Sequence, residues 1–134
     1  MTKILLTFII TALIFFALDM VWLGLIAKNY YQQKIGFLMA DKVNWLAAML
    51  FYLLYIGGIV YFAIYPSLNT GNWQTVLLKG AILGLLCYGT YDLTNWATLK
   101  NWPYQIVIID LGWGAFVTGT AASVTFIISQ KFIN

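Results

Sequence analysis

The chain contains no arginine, no histidine and no glutamate. Its cations are all lysines and its anions are all aspartates. Without histidine there is no histidine-based catalytic triad, and zinc or haem sites built on histidine or several cysteines are excluded. The single cysteine, Cys87, can form neither an internal disulfide nor a CxxC pair. It lies inside an apolar run and is expected to be a small buried apolar residue. No Walker loop, HExxH or GxSxG motif is present. Charge itself is scarce. Charged residues make up 8% of the 134, and hydrophobic residues 63%. Soluble domains run near about 25% charged and 45–50% apolar. So apolar a chain cannot cover its own surface with polar groups, and lipid is the solvent that suits it. The net charge of +3 comes from scattered lysines. No basic cluster exists to displace counterions from phosphates, which argues against nucleic acid as a partner.

What is present is four long apolar runs. They cover residues 4–27, 43–65, 80–99 and 104–128, bounded by lysine or proline. A helix crosses the hydrocarbon core in about 20 residues. Only helices or closed barrels satisfy their backbone groups in lipid, and none of these runs alternates with period two. The expected fold is therefore all-α: one integral membrane domain, a four-helix transmembrane bundle. The first run is longer than a signal-peptide core, contains Asp19 and has no small-residue cleavage site, so it is expected to be retained. The segment from Lys28 to Lys42 has room for a short interfacial helix. Pro66 to Lys79, with its Asn69-Thr70-Gly71-Asn72 stretch, reads as turns at a membrane surface.

Tryptophan and tyrosine gather at membrane interfaces. Trp22, Tyr30, Tyr31, Trp45, Trp96, Trp102 and Tyr104 mark one face, side B, and Tyr61, Tyr65 and Trp73 mark the other, side A. They are expected mainly to be anchors. Side B carries Lys28, Lys34, Lys42 and Lys100, against Lys3, Lys79 and Lys131 on side A. This small excess leans toward side B as cytoplasmic. Ala115, Gly119, Ala122 and Ser123 form a small-residue face for close helix packing, and Gly57-Gly58 is expected to act similarly.

Asp41 stands beside Lys42 in a loop, but Asp19, Asp92 and Asp110 lie inside the spans. A carboxylate at the centre of a membrane helix costs about 2.5–3.5 kcal/mol on insertion scales, and such residues usually face the bundle interior at a site. Counted at 1.5 Å per residue from the nearest span end, all three lie roughly 9–12 Å below side B. Helical spacing puts Gly84, Tyr88, Tyr91, Asp92 and Asn95 on one stripe. It puts Asp110, Trp113, Gly114 and Thr118 on a second, and Phe15, Asp19 and Trp22 on a third. Two spans thus carry Asp-x-x-Trp, whose indole N–H is a donor able to reach a carboxylate.

Three uses suit such a cluster. Carboxylates held close share protons, as a proton-coupled transporter needs. Asp19, Asp92 and Asp110, with the Asn95 carbonyl, would make a metal site for Mg²⁺ or Ca²⁺. A cationic or hydroxylated ligand, lipid included, would pair with the carboxylates between the aromatics. The plain structural alternative is that the aspartates cap loops, pair with Lys28 or Lys100, or tie helices together.

The segments Leu18-Asp19-x-x-Trp22-Leu23-Gly24, Tyr91-Asp92-Leu93-Thr94-Asn95-x-Ala97-Thr98-Leu99, Trp102-Pro103 and Asp110-x-x-Trp113-Gly114 together resemble a bacterial membrane-protein family, domain of unknown function 2177. The resemblance covers essentially the whole chain. It implies a four-helix protein of the bacterial inner membrane and goes no further. The expectation is a small transporter or permease-like protein, working as a homodimer because four helices are few for an internal path. The alternatives are a membrane-embedded enzyme acting on a lipid or isoprenoid, and a non-catalytic assembly partner.

Overall fold

A computed structural model describes residues 1–69 and 71–133. Thr70, in the anticipated turn between the second and third spans, lies outside the described residues. Helix α1 covers Thr2–Val21 and continues through a π-helical turn, Trp22–Ile26. A short helix α2, Lys28–Ile35, follows and gives way to a 3₁₀ turn, Gly36–Leu38. Helix α3 covers Trp45–Ile59 and continues through a π turn, Val60–Ile64, and a 3₁₀ turn, Tyr65–Ser67. Helices α4, Trp73–Thr98, and α5, Tyr104–Phe132, complete the chain. Among the described residues, four helices are long and apolar enough to cross a membrane. The protein is an all-α membrane protein, and the short helix α2 occupies the segment for which the sequence left room.

Local chemistry sets the helix ends. The Asn44 side chain accepts the Ala47 N–H at 3.2 Å and starts α3. The Asn72 side chain accepts the Thr75 N–H at 2.9 Å and starts α4. Each satisfies one of the donors that a helix leaves open at its N-terminus. The Asn72 cap extends α4 seven residues beyond the apolar run that begins at Gly80, so Lys79 sits inside the helix. Its ammonium donates to Ser67 Oγ at 3.1 Å. Between α4 and α5 the chain reverses through Asn101 at φ 60°, a left-handed conformation that asparagine tolerates better than most residues.

Helix α5 has the largest buried face and packs most extensively on α4. Glycine makes that contact possible. A Cβ on Gly80 would stand 2.9 Å from Gly119 Cα and 3.0 Å from Ala122 Cβ. One on Gly84 would collide with the Gly114 carbonyl. Small residues on both helices let the backbones touch, which is how helices associate where lipid removes the hydrophobic drive. The expected pair Gly57-Gly58 behaves differently. A Cβ on Gly57 would reach Phe8 at 3.9 Å, and one on Gly58 would meet nothing within 4 Å. The spacing suited packing, but the two glycines lie off the packed face of α3, whose Ile56 and Ile59 are buried in the core.

Helix α1 buries one stripe, Thr7, Thr11, Phe15 and Asp19, against the bundle. Thr7 and Thr11 donate to the Lys3 and Thr7 carbonyls and so stay satisfied without water. The core of Phe15, Ile56, Ile59, Ala63, Ile64, Val117 and Ala121 fills the side-A half of the bundle. A second cluster at side B joins Ala27, Tyr31, Trp102, Ile106 and Val107.

Gly84→Ala is expected to destabilise the protein by about 1–3 kcal/mol, the range for overpacking a tight contact. Gly112→Ala, whose Cβ meets nothing within 4 Å, should stay within about 0.5 kcal/mol of wild type. Thermal unfolding in detergent, followed by circular dichroism, compares them, and equal melting temperatures would contradict the glycine contact.

Candidate functional site

Above the side-A core, the helices enclose a cavity of about 610 Å³. Asp19, Asp92 and Asp110 all line it, one each from α1, α4 and α5. Depth along each helix gave one coordinate, and the fold supplies the other two. Trp22, Trp113, Tyr88 and Tyr91 are also in the wall, as are Tyr31, Ile35, Met39, Phe51 and Cys87.

The two Asp-x-x-Trp segments serve each other. Trp113 of the α5 segment donates its indole N–H to Asp19 Oδ1 of the α1 segment at 3.3 Å. Trp22 of the α1 segment donates to the Tyr31 hydroxyl at 3.1 Å, and that hydroxyl donates in turn to Asp110 of the α5 segment. The two indoles stack with centroids 4.5 Å apart and planes 6° from parallel. Such a pair contributes about 0.5–1.5 kcal/mol beyond its buried area. Aspartate at one turn and tryptophan at the next place acceptor and donor on one face of each helix, so two helices meeting face to face can exchange them.

Tyr31 reaches Asp110 because the π turn at Trp22–Ile26 ends α1 and α2 folds back over the side-B mouth. The Ala27 N–H bonds back to the Trp22 carbonyl at 2.8 Å, and the Tyr31 N–H bonds to the Ala27 carbonyl at 2.9 Å. π turns often mark functional sites. Burial above all, and then the hydrogen bond to Asp110, push the Tyr31 phenol above its usual range. It therefore remains a donor at neutral pH.

Asp19 has a second partner, the Tyr52 hydroxyl, which donates to Oδ2 at 2.6 Å. Asp19 is thus tied to α3 and α5, and Asp110 to α2. The partners are phenols and an indole rather than the lysines that a structural pairing had suggested. Asp92 differs. It is 0% exposed, and among the described residues neither carboxylate oxygen has a hydrogen-bond partner. Asp110 and Trp102 are its polar neighbours, and the Trp102 indole N–H is also without a partner. Buried polar groups are almost always bonded, so an orphaned carboxylate at a cavity wall is the feature that needs a reason.

Several residues differ from their expected roles. Asn95, although on the Asp92 stripe, does not line the cavity and sits beside Tyr91. Tyr31 and Trp102 are not exposed anchors but are 9% and 7% exposed, inside the site region. Cys87 is exposed rather than buried. Tyr52 carried no sequence signal beyond its type. Among the described residues, no three His, Cys, Asp or Glu side chains form a cluster of the kind that holds a metal ion. Asp19 bonds to Tyr52 and Trp113, while Asp92 and Asp110 neighbour each other.

The profile of the family DUF2177, described as predicted membrane protein, matches residues 4–127. Neither the curated proteins nor the solved structures compared with the chain hold a match to it.

Tyr31→Phe removes the donor to Asp110 and the acceptor for Trp22 together. The expected loss is about 1–3 kcal/mol, the cost of leaving buried polar groups unsatisfied. The phenol is raised in the folded state, so its contribution is complete below about pH 10, the ordinary tyrosine value, and fades as pH climbs toward the folded value. Melting temperatures from pH 7 to 11 should show a smaller alkaline decline in Tyr31→Phe than in wild type. Parallel declines would remove the assigned role of that phenol.

Proposed function

The chain belongs to the DUF2177 family of predicted membrane proteins, and on that footing we propose that it is a transporter or permease-like protein of the bacterial inner membrane. Its cavity binds a proton, a cation or a small cationic molecule. The observation that carries this reading is Asp92, fully buried at the cavity wall with two free oxygens. An isolated ionised carboxylate away from water is strongly unfavourable unless a partner neutralises it. Among the described residues no cation neutralises it and no hydrogen bond reaches it, so a proton or a cation from outside would complete the site.

The surroundings suit that guest. Asp110 stands beside Asp92 with its own acceptor capacity only partly used by Tyr31. The stacked indoles and Tyr88 present aromatic faces that attract cations. Below the cavity, Phe15, Tyr55, Ile59 and Val117 fill the bundle toward side A. Passage to that side would require α3 to move or a homodimer to provide a second wall.

A second reading has one specific observation in its favour. The Tyr31–Asp110 pair beside the free Asp92 is a set of groups able to move protons, close to headgroup depth. That arrangement would serve an enzyme acting on a lipid or isoprenoid. The assembly-partner reading called for lysine-paired carboxylates and no cavity, and it gains no support from this geometry.

Proteoliposomes test the first reading. Proton or monovalent-cation flux is expected in wild type and should fall at least tenfold in Asp92→Asn. The same substitution should raise the melting temperature of the empty protein toward pH 8, where a deprotonated Asp92 would be an uncompensated buried charge. No flux at any pH between 5 and 8, or full flux in Asp92→Asn, would overturn the transport reading.

A further inference from the structure

We propose that the ligand is an amphiphile, an amine with a hydrocarbon tail, which reaches the cavity sideways from the bilayer between α3 and α4. This deepens the cationic-ligand reading and rests on it. The cavity is walled unevenly. Helix α4 packs on the π turn Val60–Ile64 at the side-A end of α3, whereas the backbone of Trp45–Ile59 stands off from it and the Tyr55–Tyr88 ring pair, centroids 6.1 Å apart, bridges the space. The two helices therefore part toward side B. A second space of about 230 Å³ occupies the gap, lined by Leu54, Gly58 and Phe62 on one side and Leu83 and Cys87 on the other. Phe51 and Cys87 line both this groove and the aspartate cavity, so the two spaces share a wall.

Gly58 accounts for the room in the groove, since a Cβ there would meet nothing within 4 Å. The one hydroxyl at its edge, Tyr55, is already bonded to Thr118 at 2.6 Å. The groove thus offers carbon surface, while the cavity beyond it offers an orphaned carboxylate and two more acids. One molecule matches both halves if it has a cationic head and an apolar tail. A phosphate-bearing head is disfavoured, because it would bring negative charge against three aspartates. From Phe51 to Phe62 the helix advances about 16 Å, enough for a tail of about a dozen carbons.

The experiment measures binding of dodecylamine, butylamine and dodecanol to the purified full chain in maltoside detergent, by thermal shift across concentration. Wild type should bind dodecylamine at least tenfold more tightly than butylamine, and dodecanol more weakly than dodecylamine. Gly58→Phe fills the groove and should erase the advantage of the long amine while leaving butylamine unchanged. Asp92→Asn should weaken both amines tenfold or more. Dodecylamine should also slow alkylation of Cys87 by a bulky maleimide in wild type, a readout that does not depend on the folding of Gly58→Phe. Equal binding of both amines to wild type, with no protection of Cys87, would overturn the tail groove and leave the cationic site standing. Loss of both amines from wild type, or no effect of Asp92→Asn, would overturn the cationic site itself. A Gly58→Phe protein that changes oligomeric state, together with no alkylamine protection of Cys87, would assign the groove to a second copy of the chain and overturn the amphiphile.

Discussion

A carboxylate below the membrane surface cannot call on water, so its partners must come from the protein. That constraint organises the side-B half of this bundle. Asp19 draws Tyr52 from α3 and Trp113 from α5. Asp110 draws Tyr31 from α2, which is held in turn by Trp22 from α1. Helices α1, α2, α3 and α5 are therefore tied to one another through one of two acids, while α4 is held by its glycine contact with α5. The third acid, Asp92, shares their depth and carries no such tie. The contrast separates two jobs that a membrane aspartate can do. Two of them hold the walls in place around the one that is left free.

Tight packing below makes the opening above possible. The core around Phe15, Ile59 and Val117 closes the side-A end, and the glycine contact fixes α4 against α5. A bundle so anchored can let α3 splay at its other end without coming apart. The cavity and the groove beside it follow from that lopsided closure.

Much of this was legible in the sequence because lipid leaves few choices. Apolar length gave the four spans, and helical rise put Asp19, Asp92 and Asp110 at one depth. Helical spacing paired Asp19 with Trp22 and Asp110 with Trp113 on their respective faces. It could not show that each tryptophan would cross to the other motif, because that depends on how α1 and α5 face one another. Tyr31 and Trp102 looked like interface anchors, since an anchoring ring and a ring folded over a site have the same sequence address. The π turn that swings α2 inward left no mark in composition. Asn95 shares a stripe with Asp92, but it lies nearer the membrane surface and the cavity ends before it. Cys87 and Gly58 were misplaced for a related reason. In an apolar chain the lipid-facing side of a helix reads like its buried side, and only the tilt of α3 tells them apart. Helix α4 began early because one asparagine cap outweighed a lysine whose charge had suggested a boundary.

The glycine seam between α4 and α5 has a mechanical consequence. With backbone against backbone, these two helices behave as a single slab, and Asp92 and Asp110 are both mounted on it. Asp19 rides on the other half, with its phenol partner on α3. The spacing of the slab's two acids is set by that seam, whereas the position of Asp19 is set by how α1 docks on α5 through Trp113 and Trp22. The slab is a rigid mount for a pair of acids, and the stacked indoles are the coupling that registers the third acid against it.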